Sequence, residues 1–367
     1  MHRKFHEKFG ELLSRGVPFV VATVIEVRGS AVAKPGAKAI IDAEGRPVFG
    51  WVGGGCVEAF VCAEAREALT ASAPRIITAD LEDELSGIGL PCGGVMQIFI
   101  EPVQPPRRVI VRGESETAHE ASRILERTGF AVTRQASTPE NEVALLSEGN
   151  AQAFKSHGGL DIGGDSAAER ALSLVAEMIA ALRGASCRPL QEVRTEFQVE
   201  AFKAARVETQ HPSLVIIGHS NITEELAWFG SRLGWRVYVD STGATEESYP
   251  AEVIIIRGDS DFTRMPASSG SAVIVATHHK GDHLAIGRAL EAGAWYVGLV
   301  ASAHRSKLVR AMLEERPHAD MRRLRTPCGL DLGATTPAEI ALSIMSEVLA
   351  CFHGRTGEPR SALTEAE

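Results

Sequence analysis

The chain has 367 residues, enough for two or three domains that each bury a core. Hydrophobic residues make up 44% and charged residues 23%, as in ordinary globular proteins. The formal net charge of -9 disfavours nucleic acid as a partner, because an acidic chain does not attract phosphate backbones.

The cysteines and the apolar runs indicate the compartment. None of the six cysteines forms a C-x-x-C pair, so a zinc site built on paired thiolates is not expected. The first residues lack an apolar signal core, and no apolar run approaches the ~18 residues of a membrane span. We therefore expect a cytoplasmic protein with reduced thiols and no membrane span.

The first region predicts a mixed α+β domain over residues 1–104. Its hydrophobic pattern predicts a buried strand, a short hairpin, a helix and a further strand, at residues 18–27, 39–42 with 47–51, 57–69 and 95–101. Three prolines between residues 102 and 106 then predict a linker.

Strands alternate with helices in the rest of the chain, which predicts an α/β fold. Residues 105–190 predict a shortened Rossmann-like region that begins strand, helix, strand and ends in a long amphipathic helix at 168–183. Residues 191–367 predict a C-terminal Rossmann-like domain with a doubly wound parallel sheet. Its strands are expected at 213–218, 235–240, 252–256, 272–276 and 295–300, with a helix at 223–233 after the first strand.

An internal repeat supports a duplication. Residues 159–184 align without gaps to 329–354, with 12 identities in 26 positions, and both copies contain a capping-box pattern before the long helix. Chance similarity between amphipathic helices is the alternative, although the shared Gly-Leu-Asp-x-Gly before the helix argues against it. We expect residues 105–190 to be a shortened copy that lacks about two strand–helix units.

Two cysteines lie in glycine-rich turns. The first turn consists of Gly53, Gly54, Gly55 and Cys56, and a predicted helix follows it. Consecutive glycine N–H groups and a helix start favour an anion and a thiolate, although an inert structural turn has the same pattern. The second turn, with Cys92, Gly93 and Gly94, could present a thiolate to a soft metal or carry sulfur.

Cations and hydroxyl groups mark further candidate anion sites. Arg28, Ser30 and Lys34 share one loop, which suits phosphate, although a solvated loop is equally compatible. Near the C-terminus, Ser302, Arg305 and Lys307 follow a predicted strand at a helix start and also suit an anion.

The third region carries a weak dinucleotide-binding pattern. His219 and Ser220 follow Gly218, and only this first glycine of the usual G-x-G-x-x-G loop is present, because Ser220 and Thr223 stand in place of the other two. Asp240 lies 22 residues further on, where an acidic residue would hold a ribose 2′-hydroxyl.

A histidine-rich segment follows a later strand of the same region. The segment Thr277-His278-His279-Lys280 is expected at the sheet edge where open α/β sheets bind ligands. We predict substrate or cofactor contact there at Thr277 and His278. Three histidines and Asp282 in this stretch leave metal binding open.

These patterns together resemble the xanthine dehydrogenase accessory (XdhC/CoxI) family over nearly the whole chain. The stretches that match are VIEVRGSAVAKPGAKAII, GGGCVEAFVCAEA, PCGGVMQIFIEP, LVIIGHSNITEELAWFGSRLGWRVYVD, VATHHKGDH, YVGLVASAHRSK and GLDLGATTPAEIALSIMSEVLA. The chain departs from the pattern in its Gly-His-Ser-Asn loop, where members usually carry more glycines, and in its extra region near 105–190.

The resemblance implies a protein that binds the molybdenum–pterin cofactor and helps to insert it into a hydroxylase such as xanthine dehydrogenase or CO dehydrogenase. It implies a maturation chaperone more than an enzyme, with participation in cofactor sulfuration left open. The cofactor would be molybdopterin or its cytidine dinucleotide form. Cys92 is the first candidate for contact with the cofactor and its molybdenum, and Cys56 is the second. Cys62 is expected to be buried, because it lies on an apolar stretch of the helix predicted after Cys56.

The partners that this function implies are the hydroxylase apoenzyme, a cysteine desulfurase, cofactor-synthesis proteins and a second copy of the chain. The alternative function is that of an NAD(P)-linked oxidoreductase that uses the C-terminal domain. The poor glycine loop and the absence of a clear acid or base for hydride transfer disfavour it.

Overall fold

The computed structural model describes residues 2–29, 33–54, 56–80, 94–136, 144–148, 158–195, 212–257, 259, 261–277, 281–314 and 320–360. For residues 2, 56, 144 and 146–148 it describes the backbone alone. The chain divides into two compact units, residues 1–106 and 107–367. No helix in the described ranges is long and apolar enough to cross a lipid bilayer.

The first unit is a five-stranded antiparallel sheet with a helix on each face. Its elements in chain order are α1 (His2–Ser14), β1 (Phe19–Gly29), β2 (Lys38–Asp42), β3 (Pro47–Gly50), α2 (Cys56–Ala71), β4 (Arg75–Asp80) and β5 (Gly94–Val103). The strand order is β3-β2-β1-β5-β4. Alternate residues of β1 point to opposite faces, so that Val20 packs in the core beneath α2 and Phe19 packs in the core beneath α1.

The mixed α+β prediction for this region is confirmed, but α1 and β4 were not predicted. The helix α1 has a strongly amphipathic but polar sequence, and only a narrow apolar stripe that includes Phe5 and Leu12 faces the sheet. The strand β4 is a short edge strand in which only Ile77 and Ala79 are buried. Neither segment has the long apolar run on which the prediction depended.

The second unit contains the remaining elements. They are β6 (Arg108–Arg112), α3 (Glu116–Arg127), β7 (Ala131–Gln135), β8 (Ala144–Glu148), α4 (Ala167–Arg183), α5 (Leu190–Arg194), β9 (Ser213–Ile217), α6 (Asn221–Arg232), β10 (Arg236–Asp240), β11 (Ile254–Ile256), β12 (Ser271–Val275), α7 (Asp282–Glu291), β13 (Tyr296–Leu299), α8 (Ala303–Glu314), β14 (Leu324–Arg325) and α9 (Pro337–His353).

The larger sheet of this unit has the order β11-β10-β9-β12-β13-β14, and all its neighbouring strands are parallel. Helices cover both faces. Leu214 and Ile216 of β9 pack with α6 and α9, whereas Val215 and Ile217 pack with α7 and α8. This is the doubly wound Rossmann arrangement, so the predicted fold class is confirmed.

The smaller sheet has the order β7-β6-β8, with β7 parallel and β8 antiparallel to β6. Its residues Val109 and Val111 belong to the same buried core as β9, α6 and α9, so the two sheets share that core. The predicted capping boxes at the starts of α4 and α9 are both present, and left-handed glycines, Gly184 and Gly354, end both helices.

Candidate functional site

The antiparallel register of the first unit brings two of the predicted turns together. Gly29, at the carboxyl end of β1, lies directly opposite Gly94, at the amino end of β5. The end of β1, next to Arg28, and the start of β5, two residues after Cys92 in the sequence, therefore lie side by side at one edge of the sheet. Sequence reasoning named both turns but did not pair them.

The third turn lies elsewhere along the sheet. β3 runs in the same direction as β1 but ends at Gly50, which is level with Ala22 and seven residues short of Gly29, and residues 51–54 then lead from β3 into α2. Gly53 has φ 142°, and a Cβ there would lie 2.8 Å from Cγ1 of Val57. Only glycine therefore suits this position, which lies three residues before the amino end of α2 at Cys56.

The charges near these turns are partly compensated. Nε of Arg28 donates to Oε1 of Glu26 at 2.6 Å, and Glu58 lies in the first turn of α2. Ser30, Gly55, Cys92 and Gly93 lie outside the described residues, as does the side chain of Cys56.

The expectation that Cys62 is buried is only partly right. Its side chain is half-buried against the core beneath α2. Burial, followed by the nearby carboxylate of Glu58, raises the pKa of this thiol. A thiol that is held protonated is a poor nucleophile, so Cys62 is not a candidate for cofactor contact.

In the second unit, Gly218 joins three strands where they end. Its N–H donates to the carbonyl of Asp240 at 3.0 Å, and the N–H of Ala276 donates to the carbonyl of Ile217 at 2.8 Å. Gly218 has φ 115°, and a Cβ there would overlap the carbonyl oxygen of Ala276. The close approach of β9, β10 and β12 at the switch point of the sheet therefore requires glycine.

The amino end of α6 is capped by its own side chains. Ser220 and Thr223 form a capping box, in which the N–H of Ser220 donates to Oγ1 of Thr223 at 2.8 Å. The hydroxyl of Tyr249 lies 3.0 Å from Nδ1 of His219 and 3.0 Å from Oγ1 of Thr223. Part of the helix start that would hold a pyrophosphate is thus occupied by protein groups.

Asp240 ends β10 in a buried position. Its side chain is nearly inaccessible, and Oδ2 has no hydrogen-bond partner among the described residues. Burial, followed by the neighbouring carboxylate of Asp259, raises the pKa of Asp240 to about 6. Asp259 is itself held by the N–H groups of Thr263 and Arg264. A ligand hydroxyl could supply the missing partner only if the covering residues moved aside.

A buried ion pair lies at the ends of β12 and β13. The carboxylate of Asp282 accepts from Oγ1 of Thr277 and from Nη2 of Arg305, the latter at 2.9 Å. Oγ of Ser302 accepts from the N–H of Arg305 at 3.2 Å, at the start of α8. The positive charge of Arg305 is therefore already balanced by Asp282, which the sequence pattern did not predict.

The structure does not place the other predicted residues of this edge beside Arg305. Lys307 is exposed and lies two residues beyond Arg305 on α8, which places it on another side of the helix. His278 lies outside the described residues. In the part of the chain that the structure describes, no three His, Cys, Asp or Glu side chains group as metal ligands.

A buried polar pair was not predicted as a feature of the interior. The hydroxyl of Tyr296 donates to Oε2 of Glu347 at 2.5 Å, and the N–H of Gly329 donates to the same oxygen at 2.8 Å. Burial raises the pKa of Glu347. The identity of Glu177 and Glu347 in the repeat was the available signal, since Glu177 accepts from the N–H of Gly159 in the same way.

Comparison with known proteins finds the same two parts. Residues 12–80 match the XdhC and CoxI family, and residues 214–348 match the XdhC Rossmann domain. The two matches stand in this order and together cover more than half of the chain. The chain belongs to the XdhC and CoxI family.

This XdhC/CoxI protein resembles several known proteins. A Bacillus subtilis protein described as a probable xanthine dehydrogenase subunit is 26% identical over 357 residues, which are 94% of this chain and 96% of that protein. The Escherichia coli molybdenum cofactor insertion chaperone PaoD is 37% identical over 103 residues, which are 28% of this chain and 32% of PaoD. A crystal structure described as a xanthine dehydrogenase from Bacillus halodurans is 22% identical, with a TM-score of 0.35, over 95% of this chain and 96% of that one.

Proposed function

We propose that this protein binds the molybdenum–pterin cofactor as cargo and inserts it into the apoenzyme of a molybdenum hydroxylase. Membership of the XdhC and CoxI family supports this function. The relatives support it as well, since one is described as a molybdenum cofactor insertion chaperone and another as a probable component of xanthine dehydrogenase. A cysteine desulfurase and cofactor-synthesis proteins are proposed as further partners.

The single observation that carries the proposal is the pairing of Gly29 with Gly94 at one edge of the first sheet. Arg28 directly precedes Gly29 and Cys92 lies two residues before Gly94 in the sequence, and we propose that Cys56, where α2 begins, contributes to the same site. The cargo has a soft metal–sulfur end, which suits thiolates, and an anionic phosphate, which suits backbone N–H groups. The residues proposed to contact it there are Arg28, Ser30, Gly53, Gly54, Gly55, Cys56, Cys92, Gly93 and Gly94.

The second unit is proposed to bind a nucleotide portion of the cargo at the carboxyl edge of its parallel sheet. Open α/β sheets bind ligands at such a switch point. The proposed contacts are Gly218, His219, Ser220, Asp240, Thr277, His278, Ser302, Arg305 and Lys307. The capping box of α6 and the covering Tyr249 occupy groups that a pyrophosphate would need, so we propose that a nucleotide is held here through its sugar and not through a pyrophosphate at the start of α6.

The first test measures cargo. Protein purified from a molybdenum-replete host should retain a pterin that fluoresces after oxidation, and it should activate a purified apo-hydroxylase. Cys92→Ser removes a soft ligand and should lower the bound pterin roughly tenfold, which corresponds to about 1.4 kcal/mol. Cys62→Ser is the matched control and should leave the pterin content unchanged. Wild-type protein without any affinity for the cofactor would refute the proposal.

The second test separates the cargo from a redox nucleotide. Calorimetry with cytidine nucleotides and with NAD should show binding of the former. Asp240→Ala should weaken that binding by about tenfold if a charge-assisted hydrogen bond worth about 1.5–3 kcal/mol is lost. Gln135→Ala, which alters the corresponding strand end in β7, should have no effect. Tight NAD binding with turnover of a reducible substrate would instead favour the oxidoreductase.

A further inference from the structure

Two halves of the second unit exchange the same contacts with each other. The N–H of Asp161 donates to the carbonyl of Glu358 at 2.7 Å, and the N–H of Asp331 donates to the carbonyl of Arg188 at 2.7 Å. Asp161 and Asp331 are 170 positions apart, as are Arg188 and Glu358. Each half thus binds the segment that follows the long helix of the other half.

The side chains repeat this pattern. Oδ2 of Asp331 accepts from the hydroxyl of Ser186 at 2.8 Å, and Oδ2 of Asp161 accepts from that of Thr356 at 3.4 Å. The ends of α4 and α9 are joined in the same reciprocal way, by two pairs that the 170-residue offset also relates. These pairs are Arg183 with Glu339, at 2.5 Å, and His353 with Glu169, at 2.9 Å.

The helices α3 and α6 form a second reciprocal set at a different offset. Arg127 of α3 binds Glu225 of α6 at 2.7 Å, and Nε of Arg232 of α6 lies 3.1 Å from Oε2 of Glu120 of α3. Glu120 corresponds to Glu225 and Arg127 to Arg232, in both cases 105 positions apart.

Reciprocal contacts of this kind define an isologous, two-fold interface, in which residue i contacts j and j contacts i. Such an interface is normally formed by two copies of one chain. The surface of each copy must then carry groups that pair with the same groups on the other copy. Helix α6 carries such groups. Glu225 and Arg232 would pair with Arg232 and Glu225 of a second α6, as Glu120 and Arg127 pair with them here.

Among the described residues, the two halves differ at the edge of the sheet where a ligand would bind. Gly113 has φ 120° and its N–H donates to the carbonyl of Gln135 at 3.1 Å, as that of Gly218 does to Asp240. In this half Glu114 stands in place of His219, and Gln135 stands in place of Asp240. The strand beside β6 on the side that corresponds to β12 is the antiparallel β8, so its carboxyl end points away from that edge.

We propose that residues 107–190 take the place of a partner subunit. They cover, within one chain, a surface of the C-terminal half that is built to pair with a second copy of itself, and they have kept the interface but not the ligand edge. The C-terminal half therefore needs no second chain at this surface, and each two-fold unit carries one ligand-binding edge instead of two.

The test asks whether the reciprocal contacts lie within one chain. In the full-length protein, Glu120→Arg and Arg232→Glu each bring like charges together and should lower the Tm by several degrees. The two changes in the same chain restore opposite charges between α3 and α6 and should recover about half of that loss, because Glu120 also pairs with Arg123 at 2.7 Å and that pair stays broken. Co-expression of one single variant with the other should give no recovery, because each chain keeps its own mismatch.

The two-fold relation requires the pair of Arg127 and Glu225 to behave in the same way as the pair of Glu120 and Arg232. Its variants also perturb less buried side chains. Arg127→Glu and Glu225→Arg should each lower the Tm, should recover it when combined in one chain, and should not recover it when the two single variants are co-expressed. The mass measured by light scattering should be the same for all variants. Reversal of Arg288 and Glu291, which are paired within α7 and whose side chains are both more than half exposed, is the control and should leave the Tm nearly unchanged. Recovery between co-expressed chains, or no recovery in the double variant at either pair, would overturn the proposal.

Discussion

Nε2 of His353 lies 2.9 Å from Oε1 of Glu169, which joins the carboxyl end of α9 to the amino end of α4. Oε2 of the same carboxylate accepts from the hydroxyl of Ser166 at 2.7 Å and from its N–H at 3.1 Å. One side chain thus completes the cap of α4 and connects the two halves of the second unit.

This arrangement predicts a loss of stability in acid. Burial by itself would raise the pKa of Glu169, but the hydrogen bonds from His353 and Ser166 lower it to about 2. Because the folded-state pKa is depressed, the stabilisation is complete above about pH 4.5 and is lost as the pH falls towards 2. Glu169→Gln should remove up to about 3 kcal/mol at pH 6 and little at pH 2.

Urea unfolding at a series of pH values measures this effect. The exposed Glu252→Gln is the control and should reproduce the wild-type dependence on pH. Equal destabilisation by Glu169→Gln at pH 6 and at pH 2 would show that the ionised carboxylate is not the source of the stability.

For Asp240 we predict the opposite dependence of stability on pH. Burial and Asp259 raise the pKa of Asp240 to about 6, so its ionisation destabilises the folded protein as the pH rises through the interval from about 4 to 6. Asp240→Asn should therefore raise the free energy of unfolding at pH 8, by as much as about 2–3 kcal/mol, and should give no gain at pH 4. A loss of stability at pH 8 would mean that the carboxylate has a partner in solution.

The backbone at Gly218 predicts that replacing this glycine by alanine costs more stability than the same replacement at Gly234. Gly218→Ala should destabilise the protein by about 2 kcal/mol or more, because the added Cβ is strained at φ 115° and overlaps the carbonyl oxygen of Ala276. Gly234→Ala is the control, since it has φ 73° but no atom within 4 Å of an added Cβ, and should cost about 1 kcal/mol. Thermal unfolding of both variants tests this difference, which equal costs would contradict.

Three buried thiols, those of Cys187, Cys328 and Cys351, are predicted to be unreactive in the folded protein. Burial raises the pKa of Cys351 to about 12, with Glu347 as the next cause, and that of Cys187 to about 11, with Asp331 as the next cause. Cys328 is also buried, with a pKa well above the usual value. These three thiols should resist iodoacetamide at pH 8 in the native protein and react in guanidinium, as peptide mass spectrometry can measure. Rapid native labelling of Cys351 would refute the assignment.

The fold was largely predictable because its signals are local. Apolar runs marked β1 and β5, and capping boxes marked the starts of α4 and α9. Alternating strands and helices indicated the parallel, doubly wound sheet, whereas the order of its six strands was not predicted. Helix α1 was missed, because its apolar stripe is visible only against the sheet that it covers.

The candidate sites were less predictable because they depend on contacts between distant residues. Sequence alone indicated that Arg305 serves an anionic ligand, whereas the structure pairs it with Asp282, 23 residues earlier. The pairing of Gly29 with Gly94 likewise follows from a strand register that no local pattern encodes. A sequence names the groups that can act, and the register of the sheets decides which of them meet.

The two halves of the second unit belong to one chain, which determines how their interface responds to dilution of the protein. Two separate chains that meet through a symmetric surface dissociate when their concentration falls below the dissociation constant. Residues 107–190 are joined covalently to the surface that they cover, so their effective concentration stays near the millimolar range typical of short linkers, whatever the abundance of the protein. A chaperone present in a few copies per cell would keep this interface closed and would not exchange halves with a defective copy.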